Sequence, residues 1–132
     1  MVRQFVVQLE NRPHELAHLA RALASRGVNI THISFAGAGP VGSAFLTTDD
    51  DAATRDVLRS FGNQFIEGET IVVDVEDRPG GLAEVTERLA QAGVNVLGVL
   101  IVGRCGPVVE MAFAVDDEEA ARRVLARSAL VA

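Results

Sequence analysis

Short apolar runs along the chain switch period, and the whole pattern then starts again. Phe5-Val-Val-Gln-Leu9 and Ile71-Val-Val-Asp-Val75 are rich in β-branched residues and predict strands. A turn follows each, with Pro13 or Pro79 read as the first helical residue. Leu16, Leu19, Ala20 and Leu23 then recur at helical spacing, as do Leu82, Val85 and Leu89, so each helix has one apolar face. Gly27 and Gly93 stand where a helix C-cap is expected. Strands are predicted over about 29–36 and 95–102, then Gly-Pro hairpins, then strands near 43–48 and 109–115. Acidic clusters at 49–51 and 116–117 cap second helices, and short strands near 64–67 and 128–131 close each unit. The order is β-α-β-β-α-β, twice. It implies an α+β fold of two ferredoxin-like units, residues 1–67 and 68–132, each with an antiparallel sheet and helices on one face.

The repeat is visible residue by residue. Glu10-Asn-Arg-Pro-His-Glu-Leu-Ala17 returns 66 positions later as Glu76-Asp-Arg-Pro-Gly-Gly-Leu-Ala83. The same shift carries Gly27-Val-Asn29 onto Gly93-Val-Asn95, and residues 4–30 share 12 of 27 positions with 70–96. That density over half the chain indicates duplication. After the first hairpin the register slips by one, so that Gly39-Pro40 matches Gly106-Pro107.

Composition removes several classes of function. Hydrophobic residues at 48% and charged ones at 23% describe an ordinary globular chain rather than a disordered one. Twelve basic against eighteen acidic residues leave a net charge of −6, and the scattered arginines form no footprint for nucleic acid or an anionic membrane. The N-terminus does not read as a signal peptide. The longest apolar stretch, Val94 to Val102, is interrupted by Asn95 and Gly98 and is too short to span a membrane. Cys105 is the single cysteine, so no internal disulfide is possible. A soluble, cytoplasmic chain is expected.

At Glu10-Asn-Arg-Pro and Glu76-Asp-Arg-Pro-Gly-Gly-Leu, each followed after a helix by Gly-Val-Asn, the sequence resembles the ACT domain family. The resemblance implies a regulatory role: small effectors, usually amino acids, bind where two such domains pair side by side. The residues suit that chemistry. A helix start offers unpaired N–H groups and a positive dipole end to a carboxylate. Gly80 and Gly81 put no side chain in the way, and Asp77 can accept from an ammonium with charge assistance, where neutral Asn11 accepts more weakly.

The first two strands of each unit run parallel, so Asn29 and Asn95 begin their strands at the end opposite to Asn11 and Asp77. If the second strands of the two repeats pair antiparallel, one eight-stranded sheet results, with four helices on one face and two composite sites. One comprises Asp77, Arg78, Pro79, Gly80, Gly81 and Leu82 with Asn29. The other comprises Asn11, His14, Glu15 and Leu16 with Asn95, and there His14-Glu15 replace glycines and bring a negative charge close. Each Asn also reads simply as a turn residue tolerant of left-handed geometry.

Other motifs compete. His14-Glu-Leu-Ala-His18 matches the H-E-x-x-H zinc pattern, but Gly80-Gly-Leu-Ala-Glu84 keeps only its apolar pair, and no metal or cofactor is expected. Gly37-Ala-Gly-Pro-Val-Gly42 spells a dinucleotide fingerprint, yet a strand follows it, so it reads as a hairpin. Cys105 reads as a turn thiol without a histidine nearby. The expected function is a non-catalytic amino-acid sensor, with exposed edge strands favouring a homodimer. The alternatives are a regulatory subunit of an amino-acid biosynthetic enzyme, the first repeat being somewhat similar to the small subunit of acetohydroxyacid synthase, with an amino-acid metabolic enzyme as partner, a zinc hydrolase, and an assembly module with empty sites.

Overall fold

The computed structural model describes the backbone of residues 3–131 and the side chains of residues 3–125. Two compact units divide it, Met1–Glu67 and Gly68–Ala132. The elements are β1 (Arg3–Glu10), α1 (Glu15–Ser25), β2 (Ile30–Ala38), β3 (Val41–Thr48), α2 (Asp51–Phe61), β4 (Phe65–Glu76), α3 (Gly81–Gln91), β5 (Val96–Cys105), β6 (Val108–Val115) and α4 (Glu118–Val131).

In the first unit β3 lies between β2 and β1, antiparallel to both, with Phe5 opposite Leu46 and Leu46 opposite Ile33. The start of β4 borders β1, where the Gln8 amide donates to the Gln64 carbonyl at 2.9 Å. Alternation then decides which side is covered. Phe5, Val7 and Leu9 point to the face on which α1 and α2 pack, and bury against Leu19, Leu23, Val57 and Leu58. The second unit repeats this with β6 between β4 and β5. Its core is Val75, Val109, Met111 and Phe113 under Val85, Leu89, Ala121 and Leu125.

The helix ends follow local chemistry. Gly27 and Gly93 take φ of 71° and 74° just beyond α1 and α3. The amides of Val28 and Val94 turn back to the carbonyls of Leu23 and Leu89, a left-handed termination that glycine permits. Pro13 and Pro79 lie outside the helices rather than at their first residue, because His14 and Gly80 intervene as N-caps.

Among the described residues the expected eight strands are six. The closing strand expected near 64–67 and the strand at 71–75 are one element, β4, which runs without a break across Gly68. Residues 128–131, expected as a strand, continue α4. Their Ser-Ala-Leu-Val sequence suits either state, and a preceding helix that needs no new nucleus carries on. The second strands β2 and β5 pair with β3 and β6 of their own units, and each is its unit's outer strand. The pairing of one with the other, which the eight-stranded arrangement requires, is not among the strand pairs of the described residues.

Candidate functional site

In each unit the end of β1 or β4, the helix start that follows it and the hairpin between the outer strand and its partner meet at one end. Parallel strands require this, because β1 and β2 finish at the same edge. The Asn11 amide donates to the Pro40 carbonyl at 3.0 Å, and the Asp77 amide to the Pro107 carbonyl at 2.8 Å. Asn11 and Asp77 are thus backbone clamps between loop and hairpin. Their side chains differ in what they add. Asn11 donates its Nδ2 to the Gly39 carbonyl at 2.9 Å, whereas Asp77 Oδ2 accepts from Arg104 Nη1 at 3.0 Å.

The helix starts set this end apart. α2 and α4 are capped by aspartates, Asp50 Oδ1 accepting from the Ala53 amide at 3.0 Å and Asp117 Oδ1 from the Ala120 amide at 3.1 Å. α1 and α3 have no side-chain cap; their N-caps, His14 and Gly80, are left-handed, with φ of 75° and 88°. The amides of the first turn of α3, among them Leu82 and Ala83, find no acceptor within the helix. An anion with carboxylate geometry can accept from them, aided by the helix dipole.

The two expected glycines do different things. Gly80 leaves the approach to the helix start open, with only Arg78 Nη1 at 3.5 Å from where a Cβ would be. Gly81 is buried, and a Cβ there would press into the Glu76 carbonyl oxygen. Its missing side chain admits the chain's own backbone. Leu16 and Leu82 are 37% and 45% exposed, so both project from the core at these ends.

His14 is the one non-glycine residue with positive φ among those described. Such a conformation costs an L residue roughly 1–2 kcal/mol. His14→Gly should therefore raise the stability of the first unit by about 1 kcal/mol, or roughly 4–8 °C in Tm for a unit of this size. An unchanged Tm in scanning calorimetry would show that the loop holds no such strain.

Arginines brace both loops. Arg12 donates its Nε to Glu15 at 2.7 Å and pairs with Glu10 at 2.9 Å. Arg78 holds Glu84 at 2.8 Å, pairs with Glu76, and donates to the Pro79 carbonyl at 3.1 Å. The hydrogen bond from Arg78 lowers the pKa of Glu84. A carboxylate so lowered stabilises the fold above its unfolded pKa, and that contribution is lost as pH falls through the folded value. The stability gap between the wild type and Glu84→Gln should therefore be present at neutral pH and close below the usual carboxylate range. A gap that widened on acidification would contradict the pairing.

Asn29 and Asn95 sit at the other end of their units, as their strand direction required. The Asn29 amide donates to Asp49 Oδ1 at 2.9 Å and the Asn95 amide to Asp116 Oδ1 at 2.9 Å, and both side chains are exposed. Asp49 and Asp116 thus fasten the outer strands, while the helix caps are their neighbours.

The competing motifs resolve simply. The Glu15 carboxylate is held by Arg12, and the His14 and His18 rings stack with centroids 6.1 Å apart. His32 Nδ1 lies 3.0 Å from Thr47 Oγ1. Among the described residues no three His, Cys, Asp or Glu side chains gather as a metal site. Gly37 to Gly42 form the β2–β3 hairpin, with Gly39 at φ 67°. Cys105 is exposed in the second hairpin. No helix among the described residues is long and apolar enough to cross a membrane.

The ACT domain family model matches residues 3–59 and 70–131, one match in each unit. The chain belongs to the ACT domain family. No curated protein matches it. Among solved structures it is similar to a protein of Bacteroides thetaiotaomicron, with 19% identity over 97% of this chain and 89% of that one and a TM-score of 0.72. It is also similar to the regulatory subunits of aspartate kinase from Thermus thermophilus and Thermus flavus. The identities are 18% and 22%, each over 96% of this chain and 91% of that one, with a TM-score of 0.63 for both.

Proposed function

We propose that this protein is a non-catalytic, cytoplasmic regulatory protein that binds a free amino acid at the start of α3. The observation that carries the reading is the contrast in capping: Asp50 and Asp117 close α2 and α4, while α1 and α3 begin bare behind left-handed N-caps. A ligand carboxylate takes the acceptor role on the amides of Leu82 and Ala83, beside Gly80, and the ammonium turns to Asp77. Arg78 and Pro79 shape the loop. The loop of Asn11, His14, Glu15 and Leu16 forms a weaker counterpart, because neutral Asn11 accepts less strongly and Glu15 brings a negative charge.

A second copy of the chain is the proposed partner. The outer strands carry exposed apolar residues, Ile33 at 45%, Phe35 at 39% and Ile101 at 51%, and edges of this kind favour pairing with another strand. An antiparallel outer strand docked there would bring Asn29 or Asn95 towards a helix-start loop, as the ligand's second polar wall. Regulation of an amino-acid metabolic enzyme in trans is the second reading, supported by the likeness to regulatory subunits of aspartate kinase. Copurification with a catalytic subunit decides for it.

A thermal-shift screen against the free amino acids tests the function. A ligand at a hundred times its Kd should add about 2.7 kcal/mol of stability. No shift with any amino acid would leave an assembly module as the remaining reading.

A further inference from the structure

We propose that Arg104 sets the affinity of the second unit's loop for ammonium-bearing ligands, by holding the carboxylate of Asp77 that such a ligand needs. The inference rests on the amino-acid-binding reading above and deepens it. Arg104 Nη1 stands 3.0 Å from Asp77 Oδ2, and the two side chains are 60% and 56% exposed. A guanidinium and a ligand ammonium ask the same carboxylate for the same charge-assisted bond, so binding at Asp77 exchanges one cation for another.

The surroundings make that exchange feasible. The Asp77 backbone is fixed independently by its amide bond to the Pro107 carbonyl, so releasing Arg104 frees the carboxylate without undoing the clamp that holds the loop. Arg78, the other cation of the loop, is shared between Glu76 and Glu84 and has no bond to Asp77 to give up. The first unit has no such device. Gly37 stands where Arg104 does, two residues before the hairpin glycine, and Asn11 holds its hairpin through a neutral amide. The second loop thus pairs the stronger ammonium acceptor with an internal competitor, and Arg104 keeps its affinity down.

An exposed ion pair is weak, so removing the competitor should tighten ammonium binding by roughly two- to fivefold. The probe is glycine, which carries both charged groups and no side chain, with acetate as the carboxylate-only control. Titrations of the full chain would be followed by NMR at the Asp77 carboxyl carbon and the Leu82 and Ala83 amides, in the wild type, Arg104→Gln and Arg104→Lys. The expected result is tighter glycine binding to Arg104→Gln, near wild-type binding to Arg104→Lys, and no gain for acetate. Glycine binding to Arg104→Gln that is unchanged or weaker overturns the competitor role and leaves the amino-acid site standing. An Asp77 carboxyl signal that does not move on Arg104→Gln overturns the ion pair itself. Glycine titrations that move nothing in all three proteins, while Arg104→Gln does shift the Asp77 signal, overturn the amino-acid site and the proposal with it.

Discussion

Gly81→Ala is expected to be the most damaging single-methyl change at the candidate site. The added Cβ meets the Glu76 carbonyl oxygen, a backbone atom at the end of β4 that cannot rotate away as a side chain can. Relief requires α3 to shift along the sheet, and α3 supplies Val85 and Leu89 to the second core. Overpacking costs roughly 1–3 kcal/mol, and a backbone clash belongs at the upper end. A unit of this size should then lose on the order of 10–20 °C in Tm. The aligned Glu15 shows that the first loop is shaped to take a side chain, which Arg12 holds in place. A thermal melt within about 2 °C of wild type would mean that the helix start is looser than the structure describes. Gly80→Ala should be milder, since its strain is local and space is open around it.

Asp77→Ala should weaken amino-acid binding by about tenfold or more while leaving the fold intact. A hydrogen bond to a charged group is worth roughly 1.5–3 kcal/mol, which sets the expected loss of affinity. The ion pair given up with Arg104 is exposed on both sides, and pairs of that kind contribute only about 0–1 kcal/mol. The backbone clamp from Asp77 to Pro107 survives the substitution, since it uses the main-chain amide. Calorimetric titration of Asp77→Ala with the amino acid found in the screen, beside a melting curve, separates binding from folding. Unchanged affinity with an unchanged Tm would remove Asp77 from the site.

The duplication and the β-α-β-β core of each unit were legible because local signals agree with burial there. The alternation in Phe5, Val7 and Leu9, the left-handed stops at Gly27 and Gly93 and the aspartate caps are all short-range chemistry. What escaped depends on context. Continuity of β4 through Gly68 is not encoded by turn residues, because a glycine in a strand reads as punctuation. The state of residues 128–131 depends on the helix before them rather than on their own composition.

The partner of an outer strand is a tertiary choice that no alternation pattern specifies. Among candidate residues, Asp77 and Asn11 were legible as polar positions flanking a helix start, but not as clamps to the hairpins. Asp77 and Arg104 are 27 residues apart, and only the return of β5 brings them together. The repeated Gly-Pro of the two hairpins was the available signal, since the loop amides bond to those prolines. Gly81 is the opposite case: its lack of a side chain suggests room for a ligand, and the room is taken by the Glu76 carbonyl.

In the proposed complex an amino acid's carboxylate sits on the bare first turn of α3. Amide-resolved NMR during titration with the amino acid found in the screen tests it most directly. Saturable shifts are expected at Gly80, Leu82 and Ala83, with the capped Ala53 and Ala120 amides unmoved. Saturable binding that leaves the α3 start silent and moves residues elsewhere would contradict it.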